Sequence, residues 1–272
     1  MSTCGLVRAT VDGSVLVTYS ADSHTLYGAL TSSPAADWPK GSMRSIVEWD
    51  TNKPLGEIEQ VEHTYAVMGN MNEHQLTVVE STWGGRPELV DTTGIIDYGS
   101  LMQLALERAK TAREAIKVMT GLVKKYGYYS SGESFTIADP NEAWILDLIG
   151  KGPGRRGAVW VAVRIPDDCI AGHANYPRIH KIPMDDKENC LYSPDVISFA
   201  REMGYFDGLN KDFSFARAYS PADFGALRAC DARVWSFFRK YDSSMDNYLP
   251  YVNGESAEPF PLYVKPSRKL SV

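Results

Sequence analysis

The sequence groups its β-rich and helical segments into blocks, and this order restricts the possible folds more than any other feature. A first block of β-rich runs is followed by two amphipathic helical segments, a second β block and further helical segments. Strands that alternate with helices favour a parallel sheet, whereas segregated strands and helices favour antiparallel sheets with separate helical layers. The order therefore predicts an α+β fold with two sheets stacked between helical layers.

The first β block opens with a predicted hairpin. Asp12 and Gly13 stand between two β-rich runs, residues 6–11 and 14–19, and Asp-Gly between such runs is a strong hairpin signal. Further strands are predicted at residues 45–49, 64–68 and 76–80.

Two helices are predicted next, at residues 98–109 and from Thr111 to near Gly127. The hydroxyl of Thr111 can cap the second helix while Glu114 reaches back, as in a capping box. Strands are predicted again at residues 134–138, 143–149 and 158–163, and helices at 193–203 and 220–240. The last thirty residues, which are rich in Pro and Tyr, are predicted to be extended.

Composition excludes several classes of function. The chain has 272 residues, which suit one domain over residues 1–272, and a net charge of −6, which disfavours nucleic acid as a partner. No apolar stretch is long enough to span a membrane. Residues 1–10 lack the pattern of a secretory signal, so the chain as it stands is predicted to be cytoplasmic, unless an upstream signal is missing.

The cysteines and histidines give no metal or cofactor pattern. The four cysteines lie far apart without a C-x-x-C pair, and the five histidines have no metal-ligand spacing. Nucleophile-elbow, phosphate-loop and zinc-protease motifs are absent from the sequence. We therefore predict no cofactor, and we interpret Cys169, Cys190 and Cys230 as buried thiols.

Several ordered segments resemble the bacterial dipeptidase family related to the secernins, a branch of the N-terminal-nucleophile (Ntn) hydrolases. The matching residues lie in order along nearly the whole chain, at 9–14, 21–23, 69–76, 138–146, 173–175 and 227–235. The resemblance implies an αββα four-layer sandwich. It also implies hydrolysis of short peptides by a cysteine that becomes the first residue after processing.

The resemblance assigns catalytic roles to four residues. Cys4 is the candidate nucleophile, and its free α-amine would act as the base. Asp22 matches the acid that contacts this amine, and Asn175 matches the side-chain amide of the oxyanion hole. Arg228, or else Arg233, matches an arginine that organises the site; the two are five residues apart on one predicted helix, so we expect only one to face the cleft.

Further residues are implied to line the pocket. Asn72 and Thr82, the latter in a predicted turn at residues 80–82, lie where the superfamily binds substrate. Tyr19 occupies a position where the superfamily often has an arginine. In the dipeptidase family the nucleophile lies further ahead of Asp-Gly-Ser than the eight residues that separate Cys4 from Asp12.

These features predict a cysteine dipeptidase whose partner is a small peptide substrate. The chain is expected to be the N-terminal part of a longer family member, and residues 1–3 would have to be removed to free Cys4. Three alternatives stay open: an N-acyl amide hydrolase, an inactive truncated homologue, and a peptide-binding scaffold. Homo-oligomerisation also stays open.

Overall fold

The computed structural model describes residues 9–21 and 28–271 in full and residues 2–5 as backbone. Its helices are α1 (Tyr98–Arg108), α2 (Ala112–Tyr126), α3 (Val196–Glu202), α4 (Phe215–Tyr219), α5 (Ala232–Arg239) and α6 (Leu249–Val252). Its strands are β1 (Ser2–Gly5), β2 (Leu16–Tyr19), β3 (Ser32–Ser33), β4 (Ala36–Asp37), β5 (Met43–Val47), β6 (Pro54–Glu59), β7 (His63–Thr64), β8 (Val67–Met68), β9 (Met71–Asn72), β10 (Thr77–Gly84), β11 (Gly132–Ala138), β12 (Ala143–Gly150), β13 (Ala158–Arg164), β14 (Ile170–His173), β15 (Cys190–Tyr192) and β16 (Tyr263–Val264). The mixture of helices with a large antiparallel sheet confirms the predicted α+β class.

The large sheet has the strand order β15-β13-β12-β11-β10-β9-β8-β3 and is antiparallel. Its central strand β12 is buried along its whole length, which explains the nearly unbroken apolar run Ala-Trp-Ile-Leu-Asp-Leu-Ile-Gly. Because side chains alternate along a strand, Leu146 and Leu148 pack in the core shared with α1 and α2. Ile145 and Ile149 pack in a second core on the opposite face of the sheet.

Helices α1 and α2 begin and end where local sequence signals predict. The side chain of Asp97 caps α1 by accepting from the Ser100 N–H, and Thr111 caps α2 by accepting from the Glu114 N–H. The Glu114 carboxylate accepts from the Lys110 N–H, one residue before the cap. Gly127 ends α2 with φ of 82°, a backbone conformation that costs glycine little.

A smaller antiparallel sheet, with order β16-β14-β1-β2, lies against the second face of the large sheet. Successive residues of β14 belong to different cores. Ala171 packs in the core between the sheets, whereas Ile170 packs with Val234 and Phe238 of α5 on the outer side. The small sheet therefore lies between the large sheet and an outer helical layer.

The opening hairpin is present, but its strand limits differ from the prediction. β1 (Ser2–Gly5) pairs with β2, and residues 9–11, predicted as strand, form a turn, an isolated bridge and a bend. Residues 6–8 of the same predicted strand lie outside the described residues. Two interactions explain the difference. Thr10 forms a bridge with Leu270 near the other end of the chain, and Asp12 Oδ1 accepts hydrogen bonds from both the N–H and the hydroxyl of Ser14.

Other predicted limits also differ from those in the structure. Residues 64–68 are divided between two short strands, and residues 80–82 lie inside β10 rather than in a turn. The helix predicted from residue 220 begins only after residue 223 and contains a π-helical stretch, Ala226–Asp231. Within the last thirty residues, predicted to be extended, Ser243–Tyr248 is a 3₁₀ helix and α6 follows it.

None of the helices in the described part of the chain is both long and apolar enough to cross a membrane.

The buried carboxyl group of Asp147 ties β12 to the segment that follows β14. Its Oδ1 accepts from the Ser134 hydroxyl at 2.5 Å, and its Oδ2 accepts from the backbone N–H groups of Arg178 at 3.0 Å and Ile179 at 2.9 Å. Burial nevertheless raises the pKa of Asp147 from 3.8 to about 6, because the desolvation penalty exceeds the stabilisation from these bonds.

We predict that Asp147→Asn removes one pH-dependent contribution to stability. The unfolded chain ionises first, so the wild type loses stability from this group as pH rises from 3.8 to about 6. The Asn amide can accept both backbone N–H groups and donate to Ser134. The difference in free energy of unfolding between the variant and the wild type should therefore increase, in favour of the variant, by about 3 kcal/mol as pH rises from 4 to 7. Urea unfolding at each pH measures this difference. Exposed Asp207→Asn is the control, and a difference that is constant with pH would contradict the prediction.

Candidate active site

A cleft of about 680 Å³ opens between β10 and one face of α1. Strand β10 contributes Glu80, Ser81 and Thr82, and Asn175 closes one side. The described residues that line the cleft also include Tyr19, Ser20, Ala21, Gly28, Ala29, Thr31, Trp49, Asp50, Gly69, Asn70, Tyr98, Gly99, Met102, Gln103 and Leu106.

Asn175 follows β14 in the left-handed backbone conformation, with φ of 53°. Asn tolerates this conformation better than most residues. The side-chain Nδ2 donates to the Thr82 carbonyl at 2.5 Å, and Oδ1 accepts from Arg233 Nη2 at 2.7 Å. The orientation of the amide at the cleft is therefore fixed, and a cation polarises its oxygen.

The imidazole of His173 connects the two sheets directly behind Asn175. Nδ1 lies 2.6 Å from Ser81 Oγ on β10, and Nε2 lies 2.9 Å from Thr136 Oγ1 on β11. Burial lowers the pKa of His173 to about 3, and the charge of Arg178 acts in the same direction. His173 is therefore neutral near pH 7 and serves as an uncharged link between the sheets.

Three carboxyl groups lie at or directly behind one side of the cleft, and we call them the acidic wall: Asp50, Glu80 and Glu133. Asp50 and Glu80 line the cleft, and Glu133 is fully buried behind Thr82, whose hydroxyl donates to Glu133 Oε1 at 2.6 Å. The Tyr19 hydroxyl donates to Glu80 Oε1 at 2.5 Å. Burial, followed by the charge of Glu80, raises the pKa of Glu133 well above its usual range.

Two of the residues predicted to bind substrate, Thr82 and Tyr19, line the cleft, whereas Asn72 does not. The Asn72 amide is buried and donates to the carbonyls of Leu106 and Ala109 at the end of α1. Its oxygen accepts from the N–H groups of His74 and Leu76. With these four bonds, Asn72 fastens a turn to α1, and the cleft is lined instead by Asn70.

Of the two candidate arginines, the structure brings Arg233 to Asn175, and Arg228 lies elsewhere. Arg228 is exposed in the π-helical stretch and donates to Asn253 at 2.9 Å. Arg233, on α5, donates to Asn175 Oδ1 and also to the Ala174 carbonyl at 3.2 Å. The π-helical stretch changes the helical phase between the two arginines, which the sequence pattern does not reveal.

The structure describes the backbone of the proposed nucleophile, Cys4. Cys4 lies in β1, with its Cα paired with Ala171 and Val17, while Ser2 is the position level with His173 and Tyr19. The Cys4 side chain and Asp22 lie outside the described residues.

Two of the other thiols, Cys169 and Cys190, are poor nucleophiles in their surroundings. Burial raises the pKa of Cys169 to about 12 and of Cys190 to about 11, so both are protonated near pH 7. Cys230 is half-buried rather than buried as predicted, and all three are free thiols.

Glu133 and His173 are functional candidates that the sequence reasoning missed. The sequence contains a signal for Glu133, which stands inside the otherwise β-forming run Gly-Glu-Ser-Phe-Thr-Ile-Ala. A Glu in a buried strand is rare without a partner, so its presence there indicates a special environment. No group of His, Cys, Asp or Glu in the described ranges is arranged to hold a metal ion.

Three curated relatives of this chain are named as probable dipeptidases. The chain is 28% identical over 204 residues to a probable dipeptidase of Salmonella dublin, covering 72% of this chain and 44% of the relative. It is 29% identical over 173 residues to a probable dipeptidase of Latilactobacillus sakei, covering 64% and 34%. It is 28% identical over 122 residues to a probable dipeptidase B of Streptococcus pyogenes serotype M1, covering 45% and 23%. The chain spans less than half the length of these curated relatives. The model of peptidase family C69 matches residues 6–272, and the chain therefore belongs to that family.

Proposed function

We propose that this chain hydrolyses dipeptides and other short peptides by a cysteine N-terminal-nucleophile mechanism, within an αββα fold of the Ntn-hydrolase type. The observation that carries the proposal is the fixed amide of Asn175 at the cleft. Family membership and the names of the relatives support the peptidase activity. The stacking of two antiparallel sheets between helical layers supports the fold assignment.

Asn175 is suited to stabilise an oxyanion. One hydrogen of its Nδ2 is directed to the Thr82 carbonyl, and no described residue accepts the other. The positive charge of Arg233 on the amide oxygen strengthens the N–H groups as donors. A donor held in place before the reaction stabilises developing charge without reorganisation.

The proposed reaction proceeds through a thioester. The α-amine of Cys4, freed by removal of residues 1–3, takes the thiol proton, and the thiolate attacks the peptide carbonyl carbon. Charge moves to the carbonyl oxygen, where Asn175 donates to it. Collapse breaks the C–N bond, and the leaving amine takes the proton from the α-amine. Water then attacks the thioester, its proton passes through the same α-amine, and the C–S bond breaks to restore the thiol.

Roles for the remaining candidates follow from this scheme. Asp22 would hold the α-amine, and Arg233 acts through Asn175 as a positioning residue. Tyr19 and Thr82 line the cleft where the substrate would bind. Neither Cys169 nor Cys190 is an alternative nucleophile, because burial raises the pKa of each thiol.

We predict that Asn175→Gly lowers kcat for dipeptide hydrolysis by about 10²- to 10³-fold, the usual effect of losing one oxyanion donor. Glycine adopts the φ of 53° without strain, so the backbone should be unchanged. Asn52→Gly is a matched control, since Asn52 is an exposed asparagine with φ of 58° away from the cleft. Unchanged kcat in Asn175→Gly would rule out the assigned role.

We predict that the two arginines behave differently. Arg233→Ala should lower kcat by about 10-fold with little change in KM, because the Asn175 amide loses the charge that orients it. Arg233→Lys should restore part of the rate, and Arg228→Ala should stay near wild type. Equal effects of the two alanine substitutions on kcat would contradict the positioning role.

We predict that the active protein begins at Cys4. Intact mass should show loss of residues 1–3, and Cys4→Ala should abolish peptide hydrolysis without changing the circular dichroism spectrum. Cys190→Ala is the matched control and should retain activity. Full activity in protein that keeps Ser2 and Thr3 would exclude Cys4 as an N-terminal nucleophile.

A further inference from the structure

Trp49 is a large aromatic residue that stays half-exposed at the cleft. It lies two residues after the end of β5, it lines the cleft, and it is 50% exposed. A single exposed aromatic residue needs no special explanation. The contacts of Trp49 with the first turn of α1 do need one, because they hold this residue in a defined position.

The backbone at Trp49 is tied to the group that caps α1. The Trp49 N–H donates to Asp97 Oδ2 at 2.9 Å, and Oδ1 of the same buried carboxyl group accepts from the Ser100 N–H. The Ser100 hydroxyl donates in turn to the Val47 carbonyl at 3.1 Å. The start of the helix and the backbone of Trp49 are therefore positioned by the same hydrogen bonds.

The indole ring packs directly on Gly99, the second residue of α1. A Cβ atom at position 99 would lie only 2.5 Å from Trp49 Cγ, far closer than the roughly 3.5 Å at which carbon atoms normally pack. Alanine is the best helix former and glycine is among the poorest. The glycine therefore serves to admit the tryptophan ring, and this contact lies at the cleft, which both residues line.

Helix α1 extends the apolar surface that begins at Trp49. Gly99, Met102 and Leu106 are spaced by three and four residues, so they lie on one face of the helix, and all three line the cleft. The thioether of a methionine makes favourable contacts with aromatic rings. Trp49, Gly99, Met102 and Leu106 form an uncharged section of the cleft lining, which we call the Trp49 subsite.

The Trp49 subsite and Asn175 belong to different sides of the cleft. Asn175 is bonded to the Thr82 carbonyl on β10, whereas the subsite is built on α1, and the cleft lies between these two elements. A peptide whose carbonyl oxygen accepts from Asn175 would occupy the space between them. A side chain of that peptide directed away from β10 would meet the subsite.

We infer that Trp49 is a specificity-determining residue, which selects peptides that carry an aromatic or other large apolar side chain. That side chain would pack on the indole ring and on the apolar face of α1, which removes apolar surface from water. An aromatic ring would gain further from its geometry against the indole. This inference rests on the proposed function and adds the class of side chain, which peptide hydrolysis by itself leaves open.

The test uses alanyl-alanine, phenylalanyl-alanine, alanyl-phenylalanine and lysyl-alanine. Initial rates give kcat/KM, and isothermal titration calorimetry in a Cys4→Ala background gives Kd without consuming the peptide. The wild type should prefer the better phenylalanine peptide over alanyl-alanine by at least about 10-fold. Trp49→Ala should lower this preference by about 10-fold and leave the values for alanyl-alanine near wild type. Trp38→Ala is the matched control, since Trp38 is 42% exposed outside the described lining of the cleft.

A second variant changes the packing of the ring without removing it. Gly99→Ala puts a Cβ atom where the Trp49 side chain now lies, so it should displace the indole and lower the phenylalanine preference, while alanine favours the helix. Gly121→Ala is its control, because Gly121 is a glycine within α2 and has open space around its Cβ position. This control should keep the preference of the wild type.

Three results would overturn the inference: no preference for a phenylalanine peptide in the wild type, a preference for lysyl-alanine over both, or an unchanged preference in Trp49→Ala or Gly99→Ala. A loss of kcat in Trp49→Ala that is equal for all four peptides would also overturn it, because Trp49 would then support the catalytic geometry. Selective binding of a phenylalanine peptide that the wild type does not hydrolyse would leave the subsite standing and refute the proposed activity. Hydrolysis without side-chain selectivity would do the reverse.

Discussion

The site depends on a neutral imidazole buried between two sheets. His173 contacts one hydroxyl on β10 and another on β11. These two contacts fix the position of the end of β14 relative to the large sheet. Ser81, which contacts His173, also accepts from the backbone N–H of Asn175. The position of the Asn175 amide is therefore set by contacts between sheets. A charged imidazole would be poorly solvated here, and burial accordingly keeps its pKa near 3.

A second set of buried polar groups supports Asn175 from the outer side. Arg178 is fully buried, forms an ion pair with Asp231 and donates to the carbonyls of Phe260 and Pro261. Asp231 ends the π-helical stretch, and Arg233 follows two residues later. The same helix thus carries a buried anchor and the cation that orients Asn175. Removing either partner of this pair would leave an uncompensated buried charge, so the fold strongly favours the arrangement that keeps Arg178 and Asp231 together.

The sequence predicts some features well because their signals are local. Helices α1 and α2 have side-chain caps and regular apolar spacing, and both were located to within a residue or two. The family resemblance is confirmed by the family match. The strand predicted through residues 9–11 is wrong because Thr10 bridges to Leu270, a contact that no local pattern contains.

The difference between local signals and long-range contacts also explains which residues of the candidate site could be predicted from the sequence. Thr82 and Tyr19 were recognised by their positions in matching segments, and both line the cleft. Asn72 lies in a matching segment too, but its amide is used in fastening a turn to α1. Which arginine faces Asn175 depends on the π-helical stretch, and the partnership of Glu80 with Glu133 depends on strand register. Neither can be read from residue types alone.

The desolvated carboxyl groups of the acidic wall have a thermodynamic consequence for the whole fold. Burial, followed by the charge of Glu80, raises the pKa of Glu133 well above its usual range, so ionising this carboxyl group in the folded protein would cost folding free energy. Any cation that binds the native state there, and not the unfolded chain, shifts the folding equilibrium by mass action. The affinity of the cleft for such a cation and the free energy of unfolding are therefore linked. A substitution that changes the affinity also changes the stability of the protein in the presence of the cation.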